Sequence, residues 1–189
     1  MEPFTLTAGE LTLDLPTEAD IPLITEYCQD PLFEKFLTIP WPYSQADAEF
    51  FVHEIVQPGW RSGDELTWAI RLDGQLLGVI SVRAGSSMIG YWMGAEHRGS
   101  GHMSRAVAAV IDWVFDSGWS EIVTWEARIG NIGSLAVARA MGLRYTGIGP
   151  AFTASRDGST PDCWRAELHA SDERTRKDGW PDLTEFGGR

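Results

Sequence analysis

One stretch decides the fold: Gly90-Tyr-Trp-Met-Gly-Ala-Glu-His-Arg-Gly-Ser-Gly-His-Met-Ser-Arg-Ala106 joins a strand, a glycine-paired turn and a helix start. The first backbone N–H groups of a helix have no partner and carry partial positive charge, so they bind anions such as phosphate. Gly99 and Gly101 let an anion approach the main chain, Arg98 adds positive charge, and Ser104 adds a hydroxyl in the first turn. The stretch therefore predicts a phosphate-binding loop.

The residues after this loop predict two further elements that support it. A helix over 101–117 has apolar residues at the three-and-four spacing of one buried face, namely Met103, Val107, Val110, Ile111, Val114 and Phe115. A strand over 121–127 then leads through Asn131, a suitable N-cap, into a helix over 132–141 that ends at Gly142. Strand, polar turn and helix therefore occur twice in succession.

The rest of the chain predicts a mixed sheet with helices on its faces. An edge strand over 11–15 precedes a helix opened by Thr17, and Ser44 caps a second helix that runs through Val56. Asp73-Gly74 is a strong hairpin signal. The strands predicted from here on are 66–72, 75–82, 88–93, 121–127, 144–152 and 163–169. The order predicts an α/β or α+β fold, with one domain over 1–170 and a charged, mobile tail over 171–189.

Composition and charge exclude several classes of function. With 189 residues, 43% apolar and 22% charged, the chain fits one globular domain. A net charge of −12 argues against a nucleic-acid partner and favours a cationic substrate. Neither a leader pattern nor a long apolar run is present, which predicts a cytoplasmic protein without a membrane partner. Cys28 and Cys163 are too few for a disulfide framework, and we expect two buried thiols and no metal site.

The paired units resemble the GCN5-related N-acetyltransferase (GNAT) superfamily. Arg98-Gly-Ser-Gly-His-Met103 is similar to its pyrophosphate loop, Gln/Arg-x-x-Gly-x-Gly/Ala, with Met103 departing at the last position. Gly-Tyr-Trp-Met before this loop, and Asn131-x-x-Ser134 after it, resemble the RimJ/RimL-like branch, which acetylates protein N-terminal amines. The resemblance spans about residues 8–170. It implies a mostly antiparallel sheet whose central strands, 88–93 and 121–127, splay apart to admit coenzyme A.

The resemblance also implies which residues bind acetyl-CoA, the acetyl donor. They are Trp92, Met93, Arg98, Gly99, Ser100, Gly101, His102, Met103, Ser104, Asn131 and Ser134. Ser134 matches the serine that the branch uses near the sulfur, while the tyrosine that many members carry four residues later is Ala138 here. The alternative is that Ser134 only satisfies a helix-start N–H. Asn131 is a ligand of the pantetheine amides, an N-cap, or both.

Three readings of the general base stay open at this point. Glu96 lies one position after the site of a branch glutamate, here Ala95, and Glu126 alternates with Trp125 and faces the cleft through a water. An ordered water, or no protein base, is the third. His97 and His102 are expected on loop and helix surfaces, and the oxyanion donor is expected to be the backbone N–H of Met93 or of a neighbour. Phe33, Phe36, Trp41, Pro42, Tyr43 and Trp60 lie where the superfamily builds its acceptor pocket, with core packing as the favoured role for any one of them and Trp41-Pro-Tyr43 as a candidate substrate wall.

The leading hypothesis is an acetyl-CoA-dependent N-acetyltransferase. Its acceptor would be a primary amine, either a peptide N-terminus or a small-molecule amine, and the enzyme a monomer or homodimer. A coenzyme A-binding regulatory or interaction module without catalysis is the alternative. A dinucleotide-binding enzyme is disfavoured because the full Gly-x-Gly-x-x-Gly pattern is missing.

Overall fold

The computed structural model describes residues 1–186. Its strands form two antiparallel sheets. The first sheet has five strands in the order β1-β2-β3-β4-β5, and the second has three in the order β6-β8-β7. The strands are β1 Leu6–Ala8, β2 Leu11–Asp14, β3 Glu65–Leu72, β4 Gln75–Arg83, β5 Ile89–Met93, β6 Ile122–Arg128, β7 Arg144–Pro150 and β8 Asp162–His169. The predicted mixed, mostly antiparallel fold is confirmed. The sequence did not predict β1, because a strand of three residues is too short to show an alternating pattern.

The two sheets touch at one end and separate at the other. Met88 forms an isolated parallel bridge with Thr124, and the Thr124 N–H donates to the Ser87 carbonyl at 3.0 Å. Beyond this bridge, β5 and β6 belong to different sheets. The predicted splay of the central strands is therefore confirmed, and it leaves a gap between β5 and β6.

Six α-helices cover the sheets: α1 Ile21–Tyr27, α2 Pro31–Phe36, α3 Gln45–Phe50, α4 Gln57–Ser62, α5 His102–Asp116 and α6 Ile132–Ala140. Ser44 caps α3 in a capping box with Asp47, as predicted, and a π-helical segment, Phe51–Val56, joins α3 to α4. The sequence did not predict α2. It has six residues, too few for a helical period, although Asp30 accepts the Leu32 N–H as its cap.

Helix α5 packs its apolar face on the sheets. Its buried residues are Met103, Ala106, Val107, Val110, Ile111 and Val114. Phe115, which was predicted on this face, is only partly buried and packs at the edge of the core, where the Arg174 guanidinium lies 5.8 Å from its ring centre. This packing fixes the start of α5, and with it the glycine loop, against the end of β5.

The chain after β8 lies against the domain through aromatic contacts. The Trp180 ring is 5.9 Å from that of Trp125 and 5.5 Å from that of Tyr145, and Phe186 lies edge-on to Trp164 at 5.3 Å. The mobility predicted for 171–189 stays a prediction, and its last three positions fall outside the described residues. Within residues 1–186, the helices are all too short or too polar to cross a membrane.

Candidate active site

A cavity of about 630 Å³ opens between the end of β5 and the starts of α5 and α6. Helix α2 closes it from the side with Leu32, Phe33 and Phe36. Ten of the eleven residues predicted to bind acetyl-CoA line it: Trp92, Met93, Arg98, Gly99, Gly101, His102, Met103, Ser104, Asn131 and Ser134. Ser100 is exposed and is not part of the lining. Two regions thirty residues apart in sequence thus meet at one cavity.

The glycine loop has the backbone geometry of an anion site. Gly99 and Gly101 have φ of +81° and +76°, in the left-handed region that favours glycine, and a Cβ at either position would point into open space. The Arg105 N–H donates to the Gly101 carbonyl, so the N–H groups of His102, Met103 and Ser104 precede the first hydrogen bond of α5. These N–H groups face the cavity mouth at the positive end of the helix dipole.

Arg98 is held in place beside this loop. Its Nε donates to the Met93 carbonyl at 2.9 Å, and its Nη1 lies 2.6 Å from Oδ2 of Asp30, the cap of α2. Its Nη2 is enclosed and has no hydrogen-bond partner among residues 1–186. An unpaired guanidinium nitrogen next to free helix N–H groups fits a pyrophosphate. The sequence did not predict Asp30 as a partner of Arg98. The one sequence feature that indicated a role for it is the Asp30-Pro31 pair, which is typical of a helix start.

The backbone of β5 turns hydrogen-bonding groups toward the gap. The Gly94 N–H donates to Leu77, and the Met88 carbonyl accepts from Arg83, which fixes the alternation of the β4–β5 ladder. In an antiparallel ladder every second residue points its N–H and C=O away from the partner strand. Tyr91 and Met93 are those residues here. Their N–H groups therefore face β6 across the gap, where an extended ligand can pair with them.

Ser134 joins a small hydrogen-bond network at the base of the cavity. Its Oγ lies 3.1 Å from Trp125 Nε1 and 3.1 Å from Tyr91 Oη, and the Tyr91 hydroxyl donates to the Ser134 carbonyl at 3.0 Å. Trp125 Nε1 is also 3.1 Å from Tyr91 Oη. Burial raises the pKa of Tyr91 to about 12, against the opposing effect of these hydrogen bonds, so its phenol stays protonated.

The N-cap role belongs to Asn131, whose Oδ1 accepts the Ser134 N–H at 3.2 Å. The Ser134 hydroxyl binds two side chains instead of a helix-start N–H. Sequence reasoning missed Tyr91 and Trp125 as partners of Ser134. The Gly-Tyr-Trp-Met motif singles out Tyr91, but its contact with α6 depends on the fold and cannot be predicted from the sequence.

A second, smaller cavity of about 150 Å³ lies on the other face of β6 and is lined by Glu126. Gly90 of β5, Phe36 at the end of α2 and Leu37 just after it also line it, and Phe36 and Leu37 contribute to the first cavity as well. Both carboxylate oxygens of Glu126 accept the Phe152 N–H at 3.1 Å. Glu126 therefore faces this smaller cavity and does not line the larger one, and its role as a base stays a prediction.

The loop between β7 and β8, residues 151–161, is tied across this smaller cavity to the α2 region. Arg128 of β6 donates to the Lys35 carbonyl and to Ser155 Oγ, each at 2.8 Å. Arg156 of the loop donates to the carbonyls of Glu34 and Ile39. The two arginines thus fasten α2 and the loop to each other.

Glu96 and the Trp41-Pro-Tyr43 wall, which were predicted at the site, lie away from both cavities. Glu96 is exposed in a short 3-10 helix, 3.6 Å from His97 Nε2, and lines neither cavity. His97 and His102 line the larger cavity, and His97 Nε2 is 2.9 Å from the Tyr27 hydroxyl. Trp41 and Tyr43 line neither cavity, and Tyr43 is buried under α1 and α2. Trp60 is 1% exposed and belongs to the core. The structure does not bring Glu96 or the Trp41-Pro-Tyr43 wall to the site.

Within residues 1–186, the structure holds no group of three or more His, Cys, Asp or Glu side chains that could bind a metal ion. Cys28 and Cys163 are free and buried, as predicted.

Comparison with known proteins assigns the family. Residues 10–144 match the acetyltransferase (GNAT) domain family. No curated protein matches the sequence. The RimL ribosomal L7/L12 alpha-N-protein acetyltransferase in complex with coenzyme A is 20% identical, with a TM-score of 0.77 over 89% of this chain and 100% of that chain. An acetyltransferase from Salmonella typhimurium that modifies the N-terminal serine of L7/L12 is also 20% identical, with a TM-score of 0.74 over 85% and 95%.

The microcin C7 self-immunity acetyltransferase MccE, solved with acetyl-CoA and AMP, is 21% identical, with a TM-score of 0.72 over 85% of this chain and 93% of that chain. At these identities the likeness shows a shared fold. The family match covers well over half of the sequence, and the chain belongs to the GNAT acetyltransferase family. It is therefore a GNAT-type N-acetyltransferase. The predicted family, fold class, enzyme class and acetyl-CoA donor are confirmed.

Proposed function

We propose that this enzyme transfers an acetyl group from acetyl-CoA to the α-amine at the N-terminus of a peptide or protein, or to a small-molecule amine. The observation that carries the proposal is the arrangement of two cavities on opposite faces of the β5–β6 gap. Ser134 lines the larger cavity and Glu126 the smaller one. A donor and an acceptor can then meet in the gap without competing for one site.

The larger cavity is the donor site. The N–H groups of residues 102–104 and the free Nη2 of Arg98 would hold the pyrophosphate. The outward N–H of Tyr91 would pair with a pantetheine amide along the gap, in the manner of an added strand, which leaves the outward N–H of Met93 for the carbonyl oxygen of the acetyl group. Acetyl-CoA, when bound, supplies an acetyl group activated as a thioester.

The smaller cavity is the acceptor site. Its volume of about 150 Å³ is below the ~300–1,000 Å³ of typical ligand pockets, so it admits an amine and one small side chain. Glu126 supplies a carboxylate for the ammonium group, and the net charge of −12 attracts cations to the surface. The neighbour from Salmonella typhimurium modifies an N-terminal serine, which agrees with a small first side chain.

The proposed chemistry uses three groups of this chain. Glu126, directly or through a water, takes the proton that the amine must lose before its lone pair forms the C–N bond. The Met93 N–H stabilises the negative charge that develops on the carbonyl oxygen. As the C–S bond breaks and its electron pair leaves with sulfur, the Ser134 hydroxyl donates a hydrogen bond to that sulfur.

An α-amine requires little help from a base. Its reference pKa of ~7.7–8.0 leaves a sizeable neutral fraction at pH 7.5, whereas a lysine amine with a pKa of ~10.4 is neutral in about one molecule per thousand. Glu126 is only partly buried and already accepts the Phe152 N–H. A modest base of this kind suits an α-amine better than a lysine. The cytoplasmic location and the state of monomer or homodimer stay predictions.

The test measures thiol release from acetyl-CoA with paired peptides. One series has a free α-amine and blocked lysine, with Ser, Ala, Leu or Trp as the first residue, and the reverse series has a blocked N-terminus and free lysine. We expect acetylation of the Ser and Ala peptides, identified by mass, and little reaction with Trp. Preferential reaction of the lysine-only series would overturn the proposed acceptor, and no thiol release with any amine would overturn catalysis itself.

A further inference from the structure

The heavy-atom distances around Ser134 favour one arrangement of the hydrogens in the network. Trp125 Nε1–H can only donate, so Ser134 Oγ and Tyr91 Oη, each 3.1 Å away, share it as acceptors. The Tyr91 hydroxyl donates its one hydrogen to the Ser134 carbonyl at 3.0 Å. The one hydrogen of Ser134 Oγ then points to Tyr91 Oη at 3.1 Å. Each of the three side chains therefore fixes the direction of the other two.

We propose that Tyr91, Trp125 and Trp180 are positioning residues that hold the Ser134 hydroxyl ready to meet the departing sulfur. This inference rests on the proposed function. The Trp125 N–H donates into Ser134 Oγ and strengthens Ser134 as a donor, because hydrogen bonds in a chain polarise one another. Tyr91 Oη keeps the Ser134 hydrogen in one known direction until a negative sulfur attracts it. The hydroxyl then needs one rotation about its C–O bond.

Tyr91 acts through hydrogen bonding and not by supplying a proton. Its phenol is flanked by an indole and a helix start, and burial disfavours its charged form. Tyr91 also donates to the backbone carbonyl of Ser134, so it sets the position of the first turn of α6 relative to β5. Loss of its hydroxyl therefore leaves Ser134 present but free to turn away.

Trp180 extends the network to the C-terminal segment. Its ring lies edge-on to Trp125 at 5.9 Å and against Tyr145 at 5.5 Å, and Trp125 is only 2% exposed. Trp125 is a large flat side chain whose Nε1 position depends on how its ring is packed. Trp180 lies 36 residues beyond the end of the family match at residue 144. The segment after β8 thus supports the centre of the site.

The experiment compares Tyr91→Phe and Trp180→Leu with Tyr145→Phe as the matched control, which removes a phenol hydroxyl outside the network. Each is made alone and in a Ser134→Ala background. We expect Tyr91→Phe to lower kcat about 5- to 10-fold, the value of one net hydrogen bond, with KM for acetyl-CoA within about twofold. Trp180→Leu should lower kcat less, and Tyr145→Phe should leave it unchanged.

Action through Ser134 has a specific signature. In the Ser134→Ala background the Tyr91→Phe and Trp180→Leu changes should cost no further activity, because their target is gone. The indole N–H resonance of Trp125 in a ¹⁵N spectrum should shift in Tyr91→Phe and in Ser134→Ala, and stay in place in Tyr145→Phe. Equal losses in both backgrounds, or an active enzyme that Tyr91→Phe leaves unchanged, would overturn the positioning role alone. A wild-type enzyme that releases no thiol would overturn the proposed function.

Discussion

Trp125 and Glu126 are neighbours in β6, and their side chains belong to the two opposite faces of the β5–β6 gap. Trp125 Nε1 lies 3.1 Å from Ser134 Oγ on the side of the larger cavity, whereas Glu126 accepts the Phe152 N–H at 3.1 Å beside the smaller one. Side chains alternate along a strand, so two consecutive residues necessarily serve different faces. The single strand β6 thereby supplies a supporting residue to the proposed donor side and a carboxylate to the proposed acceptor side.

Gly101→Val should abolish acetyl-CoA binding without unfolding the protein. The Cβ added at Gly101 points into open space at the start of α5, where we place the pyrophosphate. The matched control is Gly118→Val, since Gly118 follows α5 with a similar φ of +69° and open surroundings. Both variants should lose about 1–3 kcal/mol of stability from backbone strain. Calorimetric titration with acetyl-CoA checks the difference, and normal binding by Gly101→Val would refute the site.

Ser134→Ala should slow acetyl transfer more than it weakens acetyl-CoA binding. A hydrogen-bond donor to the departing sulfur matters mainly in the transition state, and removing one preorganised donor of this kind typically costs ~10²–10³-fold. Steady-state kinetics should show the loss in kcat, with KM for acetyl-CoA nearly constant. Ser117→Ala, at the far end of α5, is the control and should behave like wild type. An unchanged kcat in Ser134→Ala would remove Ser134 from the mechanism.

Glu126→Gln should raise KM for the amine acceptor and leave binding of acetyl-CoA unchanged. Replacing the carboxylate removes a charge-assisted hydrogen bond to the ammonium group, which is worth ~1.5–3 kcal/mol or about 10- to 100-fold. Glu96→Gln provides the control, because Glu96 is exposed and lines neither cavity. Steady-state kinetics with a peptide that has a free α-amine compare the KM values of the two variants with that of the wild type. If Glu96→Gln were the damaging change, the acceptor would bind elsewhere.

Arg156→Ala should loosen the acceptor side selectively. Arg156 ties the β7–β8 loop to the carbonyls of Glu34 and Ile39, and loss of these bonds frees the loop to move off the smaller cavity. We expect KM for the amine to rise several-fold, with acetyl-CoA affinity within about twofold of wild type. Arg144→Ala, on the exposed start of β7, controls for the loss of one surface charge. Equal effects of the two substitutions would contradict a specific role of the hydrogen bonds from Arg156.

Asp20 should make the protein sensitive to acid. Its carboxylate is 4% exposed and bound by both terminal nitrogens of Arg71 at 2.7 and 2.8 Å. Burial alone would raise the pKa of Asp20, but the hydrogen bonds from Arg71 and Thr17 outweigh it and lower the pKa. A carboxyl group whose pKa is lower when folded stabilises the fold above its unfolded pKa of ~3.9, and this stability is lost as the pH falls through the folded pKa.

Asp20→Asn tests this acid sensitivity. Breaking a buried pair costs about 3–5 kcal/mol, so the variant should be clearly less stable at pH 7. Its stability should also fall less steeply than that of wild type below pH ~4, because the titrating group is gone. Urea unfolding at pH 7 and pH 3 measures both effects, with the exposed Asp116→Asn as control. A variant whose stability follows the wild-type pH curve would contradict the assignment.

The sequence alone determined the order of the elements and the glycine loop. Local rules are sufficient there: apolar spacing gives the face of α5, Asn131 and Ser44 give caps, and glycine is required where φ is positive. Three elements escaped these rules. Helices α2 and α4 have six residues each and strand β1 has three, and so short a segment shows no period and is stabilised by what it packs against.

The tertiary structure decided which residues meet. The sequence left Glu96, Glu126 and an ordered water open as the base, with Glu96 favoured over Glu126, and only the fold turns Glu96 to solvent and Glu126 into a cavity beside the gap. It likewise joins Tyr91, Trp125 and Ser134, and brings Trp180 from the end of the chain onto Trp125. Short-range propensities fix local backbone geometry, whereas contacts between distant residues depend on how whole sheets and helices pack. The glycine loop can therefore be predicted from the sequence, whereas the arrangement of side chains around Ser134 and Glu126 is set by the fold.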